Sequence, residues 1–123
     1  MKALVVDDSM TIRKIVIKAL NTIGITDVAE AGDGEECVRS VSTAEYDIVL
    51  LDWNMPKMTG IDALKTLREA GKKVPVIMVT TEAEKSRVIE AIKTGANEYL
   101  IKPFSPEQLA AKVKNVLPAL AGA

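Results

Sequence analysis

The chain has no histidine and a single cysteine, Cys37, among its 123 residues. Without histidine there is no Ser-His triad, no imidazole general base, no histidine-ligated zinc site and no phosphohistidine carried by the chain itself. One thiol rules out an internal disulfide and a thiolate metal cluster. Cys37 falls on the apolar side of a helical stretch with Val38 and Val41, where a packed core thiol is the ordinary reading. Positive charge is not in excess either: 16 Lys and Arg stand against 17 Asp and Glu, a net charge of −1, so nothing recommends nucleic acid as a partner. No run approaches the ~18 apolar residues of a membrane span. Met1-Lys2-Ala3-Leu4 enters a strand-like run at once, with no signal peptide. No linker, low-complexity segment or charge block interrupts the chain. The expectation is one soluble, cytoplasmic, monomeric domain over residues 1–123, with no effector domain.

What is present is alternation. Apolar runs at Leu4-Val5-Val6, Asp27–Ala31 (the weakest), Asp47–Leu51, Val76–Val79 and Tyr99–Ile101 alternate with stretches of helical periodicity. Ser9 is the N-cap expected before a helix with Ile12, Ile15, Val16, Ala19, Leu20 and Ile23 on its inner face, ended by Gly24. Gly32-Asp33-Gly34 opens a second helix. Ile61, Leu64 and Leu67 line a third, stopped at Gly71. A fourth carries Val88, Ile89 and Ile92 up to Gly95. Ser105-Pro106-Glu107-Gln108 reads as N-cap, first-turn proline and capping-box Gln, before a fifth helix with Leu109, Val113, Val116, Leu117 and Leu120 facing inward. Ala119–Ala123 reads as a fraying tail. Five βα units of ~20–25 residues call for parallel strands joined by right-handed crossovers. The fold expected is a doubly wound α/β sheet in the flavodoxin-like order 2-1-3-4-5.

That order sets strands 1, 3, 4 and 5 side by side, and each ends in a reactive polar residue: Asp7-Asp8, Asp52, Thr80 and Lys102. In open parallel sheets the ligand site lies beyond the carboxyl ends of the strands, so three carboxylates, a hydroxyl and an ammonium should converge there. Asp7-Asp8 in the first turn would repel an anion, whereas three hard oxygen donors suit Mg²⁺, which keeps several waters and bridges to phosphate oxygens. A rigid Asp52 beside such a cation can attack phosphorus, Lys102 can pair with a phosphoryl oxygen and Thr80 can donate to another. Each residue alone has a plainer reading: Asp7-Asp8 as a helix cap, Lys102 as a solvated strand end, Tyr99 as a half-buried strand aromatic with a wet hydroxyl, and Trp53 as cover for the rim. For Asp7-Asp8 and Lys102 the convergence argues against those readings; for Tyr99 and Trp53 it leaves them standing.

The stretches Val5-Val6-Asp7-Asp8-Ser9, Asp52-Trp53-Asn54-Met55-Pro56-Lys57-Met58-Thr59-Gly60, Val79-Thr80-Thr81-Glu82-Ala83 and Tyr99-Leu100-Ile101-Lys102-Pro103-Phe104 resemble the receiver domain of two-component response regulators, most of all the stand-alone chemotaxis receivers. The resemblance implies that Asp52 accepts a phosphoryl group from a phosphohistidine on a sensor histidine kinase. It implies one Mg²⁺ ligated by Asp8, Asp52 and the Asn54 backbone carbonyl, with Asp7 acting close by, and a cis bond at Lys102-Pro103. The domain would catalyse its own phosphorylation and slow hydrolysis without being a conventional turnover enzyme. Asn54 and Glu82 match positions that tune hydrolysis and access by a phosphatase. Phosphate on Asp52 would draw Thr80 inward and let Tyr99 turn in from an outward rotamer, altering the face of the fourth helix, fifth strand and fifth helix where a flagellar-motor switch protein or other target binds.

Two departures bear on that reading. Thr81 stands where chemotaxis receivers carry a smaller alanine, and Glu84-Lys85 where they carry a basic pair, so one charge on the output face is reversed. A single-domain phosphorelay intermediate and a receiver trimmed from a longer transcriptional regulator share the same motifs, and so does an interaction module freed from the chemistry, though it would have no need of the costly charged cluster. A haloacid-dehalogenase-like phosphohydrolase also uses Asp, Mg²⁺ and Lys, but it needs an acid two residues after its nucleophile at the end of strand 1. Two after Asp7 is Ser9, and two after Asp8 is Met10.

Overall fold

In the computed structural model, which describes residues 1–121, five strands form one parallel sheet. They are β1 (Lys2–Val6), β2 (Asp27–Ala31), β3 (Ile48–Leu51), β4 (Val76–Thr80) and β5 (Glu98–Ile101), in the order β2-β1-β3-β4-β5, as expected. Between and after them run α1 (Met10–Thr22), α2 (Gly34–Thr43), α3 (Gly60–Glu69), α4 (Lys85–Thr94), α5 (Pro106–Val116) and α6 (Pro118–Ala121). β3 and β4 are buried at every position, and β1 at all but Lys2. A strand covered on both faces has no polar side to alternate with, which is why these three read as unbroken apolar runs.

Successive side chains of each strand feed two cores. Leu4, Val6, Val49, Leu51 and Met78 face α2, α3 and α4, packing on Cys37, Leu64, Leu67 and Ala91. Ala3, Val5, Ile48, Leu50 and Ile77 face α1 and α5, packing on Val16, Leu20, Leu109 and Val113. Cys37 is fully buried, and burial pushes its thiol pKa up to about 12; it is a core residue. The expected caps are in place: Ser9 Oγ accepts from the Ile12 amide, and Ser105 with Gln108 closes a capping box.

Two expectations fail, and α4 buries less than its apolar residues suggest. Ile15 is half exposed rather than inward, because it lies roughly 100° round α1 from Val16, at the edge of the stripe that meets the sheet. On α4, Ile89 and Ile92 point to solvent and the only buried residue is Ala91. The fifth helix does not run on to Leu120: Pro118 cannot continue it and forces Leu117 out of helical geometry, to φ −124°, ψ 76°. Leu117 and Leu120 still pack on the α1/α5 core from either side of that break. What reads as a tail begins as α6, and Gly122-Ala123 lie outside the described residues.

Candidate functional site

The parallel register carries the polar strand ends to one place. Val6 is level with Leu51, and Thr80 with Ile101. The ladder continues past the strands: the Asp52 amide donates to the Val6 carbonyl (3.0 Å), and the Lys102 amide to the Thr80 carbonyl (2.9 Å). Asp52, Thr80 and Lys102 therefore leave the sheet on backbone that is still paired.

Their side chains meet. Lys102 Nζ lies 2.7 Å from Asp7 Oδ2 and 3.3 Å from Asp52 Oδ2, with Asp7 and Asp52 both buried. Carboxylate oxygens of Asp7, Asp8 and Asp52 come within 4.8 Å of one another. Asp7 is already engaged on both oxygens, since Oδ1 accepts from the Ser9 amide (2.9 Å). Asp8 is exposed and, among the described residues, accepts no hydrogen bond. Three hard oxygen donors with one carboxylate free and open to solvent are a donor set that fits a divalent cation. Burial raises the pKa of Asp52, a trend that Lys102 opposes and Asp7 reinforces. A carboxyl in that position gains from any added positive charge.

The surroundings fix Asp52 further. Its Oδ1 accepts from the Trp53 amide (2.7 Å). The start of α3 passes directly over its backbone: the Gly60 amide donates to the Trp53 carbonyl (2.8 Å), and a Cβ at Gly60 would fall inside contact distance of the Asp52 carbonyl oxygen. Thr80 is fully buried, and its Oγ1 accepts from the Glu82 amide (3.3 Å). Lys102-Pro103 is cis. Thr81 is exposed and lines a cleft of about 340 Å³ with Ile12, Ile15, Lys102, Pro103 and Phe104, so the apolar Ile15 and Phe104 border the site's rim. Asn54 lies exposed two residues beyond Asp52.

Two aromatic residues differ from their sequence reading. Tyr99 is only 8% exposed, and its hydroxyl donates to the Glu82 carbonyl (2.5 Å), so it is turned in rather than outward and wet. Burial, with Glu82 nearby, raises its pKa. Trp53 is 4% exposed and belongs to the α2–α3–α4 core rather than shielding a rim. Sequence reasoning also passed over two arginines. Arg13 donates to the Asp7 carbonyl (2.6 Å) and pairs with Glu30 (2.9 Å), bracing the first turn. Arg87 stacks over Trp53. Neither lies in a motif; both act on residues distant in the chain, and only the fold reveals them.

The model of the response regulator receiver domain matches residues 3–114. Chemotaxis protein CheY of Pseudomonas aeruginosa is 41% identical over 99% of this chain and all of its own length. Chemotaxis protein CheY1 of Helicobacter pylori is 44% identical over 95% of this chain and 97% of its own. Among solved structures, the CheX–CheY–BeF3–Mg complex from Borrelia burgdorferi superposes with a TM-score of 0.91 at 31% identity, covering 95% of this chain and 89% of that one.

Proposed function

This chain belongs to the response regulator receiver family, and from that premise we propose that it is a phosphorylation-driven switch whose acceptor is Asp52. The observation that carries the proposal is the Asp7–Asp8–Asp52 cluster bridged by Lys102, built on four adjacent strand ends. The donor is a phosphohistidine of a sensor histidine kinase. A carboxylate oxygen of Asp52 attacks phosphorus, the P–N bond breaks, and the departing imidazole takes up a proton. Asp8, Asp52 and the Asn54 carbonyl would hold Mg²⁺, and Asp7, already engaged by Lys102 and Ser9, orients the turn. Mg²⁺ bound there supplies charge neutralisation for the three carboxylates and the incoming phosphoryl oxygens. Lys102 moves its ammonium from the carboxylates to a phosphoryl oxygen, and Thr80 Oγ1 turns from the Glu82 amide to donate to another. Glu82 and Asn54 border the path of the water that later hydrolyses the product.

Output runs through Thr80 and Tyr99 to α4, β5 and α5. Ile89, Ile92 and Ile101 are each more than 40% exposed on this face, and apolar side chains left outside a core suit a protein partner. The likeness to chemotaxis proteins over nearly the whole chain supports a role in chemotaxis in the cytoplasm, with the flagellar-motor switch as the target and a phosphatase to reset it. Among the described residues no helix is long and apolar enough to cross a membrane. Incubation with acetyl phosphate and Mg²⁺ should add one phosphoryl group, mapped to Asp52 by peptide mass spectrometry. Labelling of Asp52→Ala at the wild-type level would sink the mechanism.

A further inference from the structure

The first turn of α4 has few ties to the rest of the molecule. Its N-cap, Glu84, makes no side-chain cap bond, and the helix buries only Ala91. Arg87 lies one turn before Ala91, on the same side of the helix. Its guanidinium carbon is 5.3 Å from the centre of the Trp53 ring. Its Nε is 3.8 Å from Glu82 Oε1, and its Nη1 is 3.5 Å from Glu90 Oε1.

Two of these partners, Trp53 and Glu82, lead to the site. The Trp53 amide donates to Asp52 Oδ1, so any shift of that carboxylate toward a cation or a phosphoryl group pulls on Trp53. Glu82 offers its carbonyl to the Tyr99 hydroxyl and its amide to Thr80 Oγ1. Arg87 thus touches the residue beside the acceptor and the loop residue that holds both Thr80 and Tyr99. An arginine over an indole face is an attraction that the buried ring strengthens. The pairs with Glu82 and Glu90 are partly exposed, and by themselves hold little.

Building on the receiver reading above, we propose that Arg87 is a positioning residue that latches the first turn of α4 to Trp53, so that occupancy of the Asp52 site reaches α4 through the indole as well as through Thr80 and Tyr99. The acceptor chemistry does not need Arg87; the coupling of that chemistry to α4 does. Its role differs from simple packing. A structural prop would alter α4 equally in the empty and the occupied protein, whereas a latch alters the difference between the two.

The test uses the full chain, with Mg²⁺ alone and with Mg²⁺ plus beryllofluoride as probes. Trp53 fluorescence reports the site, and amide hydrogen exchange over residues 85–94 reports α4. In Arg87→Ala, acrylamide quenching of Trp53 should rise about twofold as the ring loses its cover, with Mg²⁺ affinity within about threefold of wild type. The probe-induced change in α4 exchange should shrink about threefold or more, beyond any change in basal exchange. Arg87→Lys, which keeps a cation over the ring, should restore more than half of it. If Arg87→Ala passes the full change to α4 while the wild-type Trp53 responds to Mg²⁺, the latch is overturned and the receiver reading stands. If the wild-type Trp53 does not respond to Mg²⁺ at all, the reading of the site fails, and the latch with it.

Discussion

α3 and α4 are both ten residues long and lie side by side on the same face of the sheet, and they are held in opposite ways. α3 is capped by Thr59, whose Oγ1 accepts from the Asp62 amide, and it buries Gly60, Ala63, Leu64 and Leu67. Its first residue is pressed against the Asp52 backbone. α4 has no side-chain cap, buries only Ala91, and turns Ile89 and Ile92 outward. Both end at a glycine in the left-handed region, Gly71 at φ +81° and Gly95 at φ +121°, so the difference lies in capping and burial rather than in how the helices stop. Asp52 is thus braced by the more firmly held helix, while Ile89 and Ile92 are exposed on the more weakly held one. Elements that switch are drawn from the weakly held end of a structure, and here a firmly held and a weakly held helix sit next to each other.

The strongest way to break this contrast is a matched pair of truncations. Leu64→Ala should cost about 3 kcal/mol, because it empties a fully buried place between α3 and the sheet. Ile92→Ala should stay within about 0.5 kcal/mol, as surface changes usually do. Urea midpoints at unchanged m-value measure both. Equal costs would mean that α4 is anchored as firmly as α3. Binding of a partner should show the reverse ranking, weakened by Ile92→Ala at full stability.

Next in size is a change at Asp52 itself. Because burial raises the pKa of Asp52, the folded state holds its proton to higher pH than the unfolded chain does. Below the unfolded value, about 4, both states are protonated and the site costs nothing. As pH rises from there through the raised value, the unfolded state ionises first and stability is lost, and above it the loss is complete. In metal-free protein, Asp52→Asn should therefore raise the Tm measured at pH 7. That advantage should close as pH falls to about 4. Saturating Mg²⁺ should stabilise the wild type more than the variant and narrow the gap from the other side. A gap that widens on acidification would mean that Lys102, rather than burial, governs the carboxyl.

How far the sequence carries this contrast depends on what kind of contact makes it. β1, β3 and β4 are legible because two-sided burial leaves unbroken apolar runs, and Asp7, Asp8, Asp52, Thr80 and Lys102 are legible because they stand at the carboxyl ends of apolar runs. The inward side of a helix is less so. Ile12, Ile15, Val16 and Ala19 share one apolar stripe, and periodicity alone does not say which edge of it meets the sheet; Ile15 falls outside. On α4 the small Ala91 is the buried residue and the larger isoleucines are not, the opposite of what hydrophobicity suggests. Pro118 was a legible stop that the run of leucines masked. Arg13 and Arg87 have no sequence signal, because their partners Asp7, Glu30 and Trp53 come within reach only once the sheet and helices are assembled.

The finest test alters only the cap of α4. Glu84 occupies the N-cap with extended dihedrals, φ −66° and ψ 138°, but its side chain caps nothing. Aspartate keeps the charge at the helix's positive end, and its shorter side chain can accept from an amide of the first turn, a bond worth about 0.5–1 kcal/mol. With only Ala91 buried and no side-chain cap, α4 is expected to open without the rest of the domain, so that gain should appear locally first. Hydrogen exchange over residues 85–94 should slow about threefold in Glu84→Asp, the equivalent of ~0.7 kcal/mol, while α3 amides keep their wild-type rates. If α3 slows in step with α4, the two helices open as one unit and the contrast between them fails. If only α4 slows, its missing cap sets how readily this helix opens, and the charge at position 84 can then be varied separately from the stability of the helix that carries it.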